Sequence, residues 1–364
     1  MSERDLTVIS RIENEIQKID NKESNVYFFV IDTKGNPSGS LEYIYKLAYI
    51  LRESGFNVSM LYQEPEEFIG VGDWLDERFS SIPHYNIEGE DVSVSASDIL
   101  FIPEIFANIM MQTKKLPCKR IAIMQNFDFV LEQMPISSQW GDLGIMEAIC
   151  NTKINSELIK SIFPYVKTTV VDPYIDSKFG TTSAPKSLII NIVSKDHKDV
   201  NRIIKPFYWK YPMLKWVSFR DLRGFPQDMY ADLLREGAIT IWCDDETNFG
   251  YSALEAMKSG SLVLAKVTKE TQEWMKDGDT LSNCCVWFDS FQDLHKMIAS
   301  VVRAWITDQV PSEISEAVSN QLEMYSYEKT KEQIVNYVNN VLDVRKSEML
   351  SLITHINTNT SENE

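Results

Sequence analysis

Short apolar runs alternate with amphipathic stretches along most of the chain. The runs are bounded by turn-forming residues, and the stretches between them place apolar side chains at helical spacing. Strands that are covered on both faces are apolar throughout, so this alternation predicts an α/β fold with parallel sheets between layers of helices. The predicted strands are residues 25–31, 57–61, 97–102, 120–124, 144–152, 167–171, 187–193, 213–219, 239–243 and 262–265.

The helical stretches carry apolar residues three and four positions apart. Gly55 and Gly260 end two of them, as expected for residues that tolerate a positive φ. The segment 63–94 shows neither pattern and is predicted to be irregular. The predicted helices are residues 1–24, 40–54, 155–162, 200–210, 227–235, 251–259, 291–307, 313–323 and 327–355, and the polar residues 356–364 are predicted to be a disordered tail.

The most informative stretch is residues 239–266, which read ITIWCDDETNFGYSALEAMKSGSLVLAK. It predicts a strand, a polar loop, a helix and a second strand. In open parallel sheets ligands bind beyond the carboxyl ends of the strands, so the loop 244–250 is a candidate site. The backbone N–H groups of Phe249, Gly250 and Tyr251 open the helix, and a helix N-terminus favours an anion such as a phosphate.

Composition narrows the choice of partners. With 44% hydrophobic and 24% charged residues over 364 positions, the chain is long enough for two globular domains. A net charge of −17 and a pI near 4.8 argue against a long nucleic acid and weaken the case for adsorption on an anionic membrane. No run reaches the length of a membrane span, and the N-terminus lacks the pattern of a leader peptide, so we expect no transmembrane segment and a cytoplasmic protein.

Neither the cysteines nor the acidic turns predict a metal site. The five cysteines have no metal-ligand spacing, and buried free thiols are the simplest interpretation. The residues Asp277-Gly278-Asp279 resemble an acidic metal motif in composition only. Their position between a predicted helix and a predicted strand favours a tight turn.

The stretch NFGYSALEAMKSGSLVLAK resembles the donor-binding signature of glycosyltransferase family 4, written E-x-F-G-x-x-x-x-E-A-M-x-x-G. That family has the GT-B fold, in which two Rossmann-like domains face each other across a cleft and the last helix crosses back to the first domain. The resemblance covers about residues 25–330. Together with Pro173 and the polar run 177–186, it implies a first domain over 1–172 with helix 330–355, and a second, donor-binding domain over 173–329.

The resemblance also assigns donor-site roles to residues that fall in register. Glu255 matches the family's ribose-binding Glu, and the backbone from Phe249 to Tyr251 would approach the diphosphate. Thr247 stands where the family has the Glu that faces the sugar, and Glu246 lies one residue earlier. Either of them is therefore the candidate catalytic contact to the donor sugar.

Two further segments extend the implied donor site. SKDHKD follows the first strand of the second domain, where the family places two cations on the diphosphate, and it contains Lys195 and Lys198. Two solvated loop lysines are the alternative interpretation. SGSLEYIYKLAYILRESGFNVSML resembles the family's opening motif, in which Gly39 would lie against the donor phosphates.

Polar residues follow two predicted strands of the first domain and form the candidate acceptor side. Glu104 comes after strand 97–102, and Gln125, Asn126 and Asp128 come after strand 120–124. Ordinary loop capping is the alternative explanation of these four residues.

The resemblance implies transfer of a sugar from a nucleotide-diphosphate-sugar to a hydroxyl acceptor such as a glycan, with retention and with neither a cofactor nor a metal. The departure at Thr247 and the Gln at position 125 leave a second hypothesis, a catalytically impaired subunit that binds or scaffolds. An epimerase or a phosphorylase with the same fold is a third and weaker option.

Overall fold

The computed structural model describes residues 3–63, 74–89, 92–244, 249–268, 273–277, 280–307, 309 and 312–361. Within this part the chain forms two compact units. The first unit runs to Asp172 and takes up the chain again at Thr330. The second unit is formed by Pro173–Lys329 and a short segment that ends at Asp76.

A parallel sheet lies at the centre of the first unit, and seven strands of it fall within the described residues. Its order is β3-β2-β1-β4-β5-β6-β7. Val26 pairs with Val58 on one side and with Ile99 on the other, so the chain continues in opposite directions across the sheet from β1. The strands are β1 (Asn25–Phe29), β2 (Asn57–Tyr62), β3 (His84–Asn86), β4 (Ile99–Pro103), β5 (Lys119–Met124), β6 (Glu147–Cys150) and β7 (Lys167–Val170).

Helices cover this sheet and are capped by polar side chains. Ser38, Asn126 and Thr152 each accept a hydrogen bond from a backbone N–H in the first turn of the following helix. Such caps satisfy amide groups that have no partner inside the helix. The helices of this part are α1 (Glu3–Asp20), α2 (Gly39–Glu53), α3 (Ala107–Gln112), α4 (Phe127–Gln133) and α5 (Lys153–Ile162).

The second unit has its own parallel sheet, in the order β14-β11-β10-β8-β9 among the described strands. The first strand, β8, again lies between its two successors in the sheet, β9 and β10. The strands are β8 (Ser187–Val193), β9 (Ser218–Asp221), β10 (Gly237–Trp242), β11 (Leu262–Lys266) and β14 (Val286–Phe288), beside a separate antiparallel pair, β12 (Lys276–Asp277) and β13 (Thr280–Leu281). The helices are α6 (His197–Lys210), α7 (Gln227–Glu236), α8 (Tyr251–Lys258), α9 (Phe291–Ile306) and α10 (Ser312–Met324).

The last helix, α11 (Tyr327–Ser361), joins the first unit from Thr330 onward, as predicted. Its first turns are fixed to Asp172: Thr330 Oγ1 donates to the Asp172 carbonyl, and Gln333 Nε2 donates to the Asp172 carboxylate, both at 2.8 Å. Farther along, Arg345 donates to the carbonyl groups of Ala96 and Pro117.

The structure corrects three details of the predicted elements. Residues 84–86 form the edge strand β3 inside the segment predicted to be irregular. The predicted strand 213–219 is a helical turn over Pro212–Leu214 followed by β9, which begins only at Ser218. The predicted disordered tail is helical as far as Ser361, and the Thr354 and Thr358 hydroxyls donate to carbonyl groups one turn back; residues 362–364 lie outside the described residues.

Among the described helices, none is both long and apolar enough to cross a membrane.

Candidate functional site

In the second unit, the carboxyl ends of β8 and β10 meet at the point where the chain changes direction across the sheet. Lys195 follows β8 and Asp244 follows β10, and the Lys195 ammonium lies 3.1 Å from the Asp244 carboxylate. The Lys195 side chain is largely exposed, whereas that of Asp244 is almost buried. Such a switch point is where open α/β sheets bind ligands, so this pair marks the expected place.

The chain enters α8 through a tightly packed turn. Phe249 is buried, and its carbonyl accepts a 2.5 Å hydrogen bond from the Trp274 indole. Gly250 has φ +82, and a Cβ there would lie 2.9 Å from a Trp274 ring carbon and 3.2 Å from a Trp242 ring carbon. Only glycine combines that backbone angle with so little space. The start of α8 is therefore held in a defined position.

Glu255 lies one turn into α8 and is only 5% exposed. Its neighbours on the helix, Ala253, Leu254, Ala256 and Met257, are also buried. Glu255 is therefore enclosed by the protein and is not a solvated surface residue.

The loop before α6 is organised by its own carboxylates. Asp196 accepts a hydrogen bond from the Lys198 backbone N–H at 2.8 Å, and this bond is the main reason that the pKa of Asp196 lies below its usual value. Asp199 accepts from the Ser194 hydroxyl and pairs with Arg202 at 3.0 Å. The loop between β8 and α6 therefore has a fixed backbone.

In the first unit, Glu104 connects the ends of β4 and β5. One of its carboxylate oxygens accepts hydrogen bonds from the backbone N–H groups of Gln125, at 3.0 Å, and Asn126, at 2.7 Å. Glu104 is 2% exposed, and burial raises its pKa to about 7 although these hydrogen bonds act in the opposite direction. Close to neutral pH this carboxyl can therefore either donate or accept a hydrogen bond.

A cavity of about 360 Å³ opens beside Glu104. It lies at the switch point of the first sheet, between the chain that follows β1 and the ends of β4 and β5. The Gln125 amide also reaches this region, where it donates to the Ser40 carbonyl at 3.1 Å. Apolar side chains form much of the wall, namely Ile31, Leu41, Ile44, Pro103, Ile105, Phe106 and Phe129. The polar lining residues are Ser38, Ser40, Glu104, Gln125, Glu132 and Gln133.

Comparisons with known proteins agree with this architecture. No protein-family model matches the chain. A curated relative, an α-1,6-glucosyltransferase from Actinobacillus pleuropneumoniae serotype 7 (strain AP76), is 24% identical over 259 residues, covering 67% of this chain and 73% of the relative.

Two solved structures extend the comparison to most of the chain. Sucrose-phosphate synthase from Thermosynechococcus elongatus superposes with a TM-score of 0.61 at 9% identity, over 88% of this chain and 100% of that one. Anabaena HepE, solved in complex with UDP-glucose, gives a TM-score of 0.60 at 13% identity, over 87% and 99%. The chain has the GT-B fold. The curated relative is named as a glucosyltransferase.

The described donor candidates are divided between the two units, and all but Gly39 belong to the second. Lys195 and the turn Phe249–Tyr251 follow the neighbouring strands β8 and β10, and Lys198 lies exposed in the first turn of α6. Gly39 is exposed as the first residue of α2, in the other unit. The two candidate catalytic residues, Glu246 and Thr247, lie outside the described residues.

On the predicted acceptor side, Glu104 and Gln125 line the cavity, whereas Asn126 and Asp128 are not among its described lining residues. The Asn126 side chain caps α4 by accepting from the Asp128 backbone N–H at 2.9 Å, and the Asp128 side chain is exposed. The capping alternative thus applies to Asn126. Glu104 both anchors a loop and lines the cavity.

Asp244, Trp242 and Trp274 were not predicted as site residues from the sequence. Asp244 directly follows a predicted apolar strand, which is the signal that could have identified it. The two tryptophans act through their packing around Gly250, which only the fold reveals.

Proposed function

We propose that this chain transfers a sugar from a nucleotide-diphosphate-sugar to a hydroxyl acceptor, with retention of anomeric configuration and without a metal ion. One observation carries the proposal: the rigid turn into α8, with the buried Glu255 one turn later, lies at the switch point of the second sheet. This arrangement matches the signature that the sequence carries at the same residues.

The donor would bind to the second unit. Backbone N–H groups at the start of α8 and the ammonium of Lys195 are positive groups that stabilise a departing diphosphate. Asp244 would hold Lys195 in place until the phosphate competes for it, since the two already form an ion pair. Glu255 would accept hydrogen bonds from the ribose hydroxyls, and Glu246 or Thr247 would contact the sugar.

UDP-glucose is the first donor to test. The curated relative is named as a glucosyltransferase, and the HepE structure contains UDP-glucose. UDP-glucose is an α-glycoside, so an α-linked product would mean retention. The fixed positive groups just described could take the role that a metal plays on the diphosphate, which supports metal independence.

The acceptor would bind to the first unit, in the cavity beside Glu104. Its apolar walls suit the carbon face of a sugar ring, and the Glu104 carboxyl with the Gln125 amide offers polar groups for its hydroxyls. A glycan of a surface polysaccharide fits this description.

A binding or scaffolding subunit without catalytic activity is the second candidate, because Thr247 stands where the signature has a Glu. Proton NMR of the full chain with UDP-glucose, chelator and a panel of glucosides distinguishes the two. We expect slow release of UDP in water, faster release with one of the acceptors, and an α-anomeric product signal.

Each other result contradicts one part of the proposal. UDP-glucose that binds but is never consumed would favour the non-catalytic subunit. Activity that chelator abolishes would contradict metal independence, and a β-linked product would contradict retention.

A further inference from the structure

The second unit carries an unusually basic segment at its surface. Residues 200–220 contain Arg202, Lys205, Lys210, Lys215 and Arg220 and no acidic residue, although the whole chain has a net charge of −17. The segment comprises most of α6, the helical turn at Pro212–Leu214 and the beginning of β9. Positive charge is thus concentrated in one segment of an acidic protein.

Large apolar side chains stand between these lysines and face the solvent. Trp209 is 76% exposed, Met213 86% and Trp216 56%. Isolated exposed apolar residues are common, but two tryptophans and a methionine within eight positions form a patch. We call the following six exposed residues the basic-aromatic ridge: Lys205, Trp209, Lys210, Met213, Lys215 and Trp216.

The inner side of the segment that carries the ridge is well packed. On the inner side of the same segment, Phe207 is fully buried and its ring contacts those of Tyr208, Tyr211 and Phe219. The Tyr208 hydroxyl donates to the Val217 carbonyl at 2.5 Å, which ties the end of α6 to the chain just before β9. The outward side chains are therefore presented from a fixed backbone.

The lysines of the ridge keep their charge available. Within the described residues, no carboxylate lies within 4.0 Å of the ammonium groups of Lys205, Lys210 and Lys215, whereas Arg202 pairs with Asp199 and Arg220 with Glu236. On the neighbouring helix α9, Asp293 pairs with Lys296 at 3.7 Å. The pKa of Asp293 is lowered mainly by the hydrogen bond from Ser290, and Lys210 contributes to the same shift from a greater distance.

We propose that the basic-aromatic ridge docks the protein on an anionic lipid bilayer. Tryptophan favours the boundary between lipid headgroups and acyl chains, and lysine extends its charge to the headgroup phosphates while its stem covers apolar surface. A protein partner fits less well, because lysine is depleted in protein interfaces. Screening limits repulsion from the acidic remainder of the chain, since exposed charges interact over only about 10 Å at 0.1 M salt. This inference does not depend on the proposed transferase activity.

Vesicle flotation with the full chain tests the proposal. One set of vesicles is phosphatidylcholine alone, and the other contains phosphatidylglycerol as well. We expect binding to the anionic vesicles only, with a blue shift of tryptophan fluorescence. Replacing Lys205, Lys210 and Lys215 together by Gln should lower the partition coefficient by roughly 100-fold, because each lysine near an anionic surface contributes about 1 kcal/mol.

A matched control removes the same charge elsewhere. The triple variant Lys115→Gln, Lys160→Gln, Lys276→Gln changes three exposed lysines on other elements and should float like the unaltered chain. The double variant Trp209→Ala, Trp216→Ala should lose both the fluorescence shift and most of the binding. Equal loss of vesicle binding in the control triple variant would overturn the proposal, and so would equal binding of the unaltered chain to neutral and anionic vesicles. If the unaltered chain binds neither kind of vesicle, the proposal is also wrong and a protein partner is favoured.

Discussion

Glu104 shows at the scale of one residue how burial and hydrogen bonding oppose each other. Burial disfavours its charged form, and the N–H groups of Gln125 and Asn126 favour it. Burial has the larger effect, so the pKa rises to about 7 from an ordinary 4.5. The result is a carboxyl that changes charge near neutral pH at the edge of the acceptor cavity.

This shift predicts a pH-dependent stability. Between pH 4.5 and about pH 7 the folded chain holds a proton on Glu104 that the unfolded chain releases. The contribution of Glu104 to the free energy of unfolding therefore falls as pH rises through this window. Glu104→Gln removes the titration. Its stability relative to the unaltered chain should rise across that window, by on the order of 3 kcal/mol, because each pKa unit is worth about 1.4 kcal/mol.

Urea unfolding of both proteins at several pH values measures this difference. Glu132→Gln is the control, because Glu132 lines the same cavity but is exposed, and it should follow the unaltered chain at every pH. A constant difference between Glu104→Gln and the unaltered chain would show that Glu104 does not titrate in this window.

At the scale of an element, the start of α8 depends on Gly250. Alanine there must adopt φ +82 and must also displace Trp274 or Trp242. The backbone term costs about 1–2 kcal/mol and the overpacking a further 1–3 kcal/mol. Gly250→Ala should therefore destabilise the second unit clearly and weaken nucleotide binding, since the turn that would face the diphosphate has to move.

A substitution at Gly224 distinguishes the cost of the backbone conformation from the cost of overpacking. The φ of Gly224 is +77, but a Cβ there meets no atom within 4 Å, so Gly224→Ala should lose only the backbone term and leave nucleotide affinity unchanged. Thermal unfolding and nucleotide titration of both variants provide the comparison. Equal effects in the two variants would mean that the tryptophans do not constrain the turn.

Helices and strands with a clear pattern of hydrophobic residues were predictable from the sequence, and very short elements were not. The strand 187–193 is found with the predicted bounds, because an apolar run between turn formers leaves little choice. The three-residue strand β3 is too short to show a period, and it exists through its pairing with β2. Residues 212–219 contain a proline, a lysine and a tryptophan, which reflect a surface turn, whereas the number of apolar residues had suggested a strand over 213–219.

At the scale of the whole molecule, the alternation of strands and helices was enough to predict the α/β class, and the signature at residues 248–266 was enough to predict GT-B. The position of Glu255 on a helix after β10 also followed from the sequence. The burial of side chains did not follow from the sequence. Packing between segments far apart in the chain encloses Glu255 and pairs Lys195 with Asp244. Such packing also brings Glu104 to the two backbone amides that it accepts from. The net charge of −17 did not predict the charge of individual surface segments, because it conceals the basic-aromatic ridge.

The most direct test of the donor site is titration calorimetry of nucleoside diphosphates in the presence of chelator. UDP is titrated first, then GDP, ADP and dTDP, into the unaltered chain, into Glu255→Gln, and into Glu236→Gln as a control carboxylate of the same unit. We predict that one of these nucleotides binds, that Glu255→Gln weakens it by roughly 10- to 100-fold, the loss expected for hydrogen bonds to a charged group, and that the control does not. Equal affinity in the unaltered chain and a folded Glu255→Gln variant, or no binding of any of them, would contradict the account.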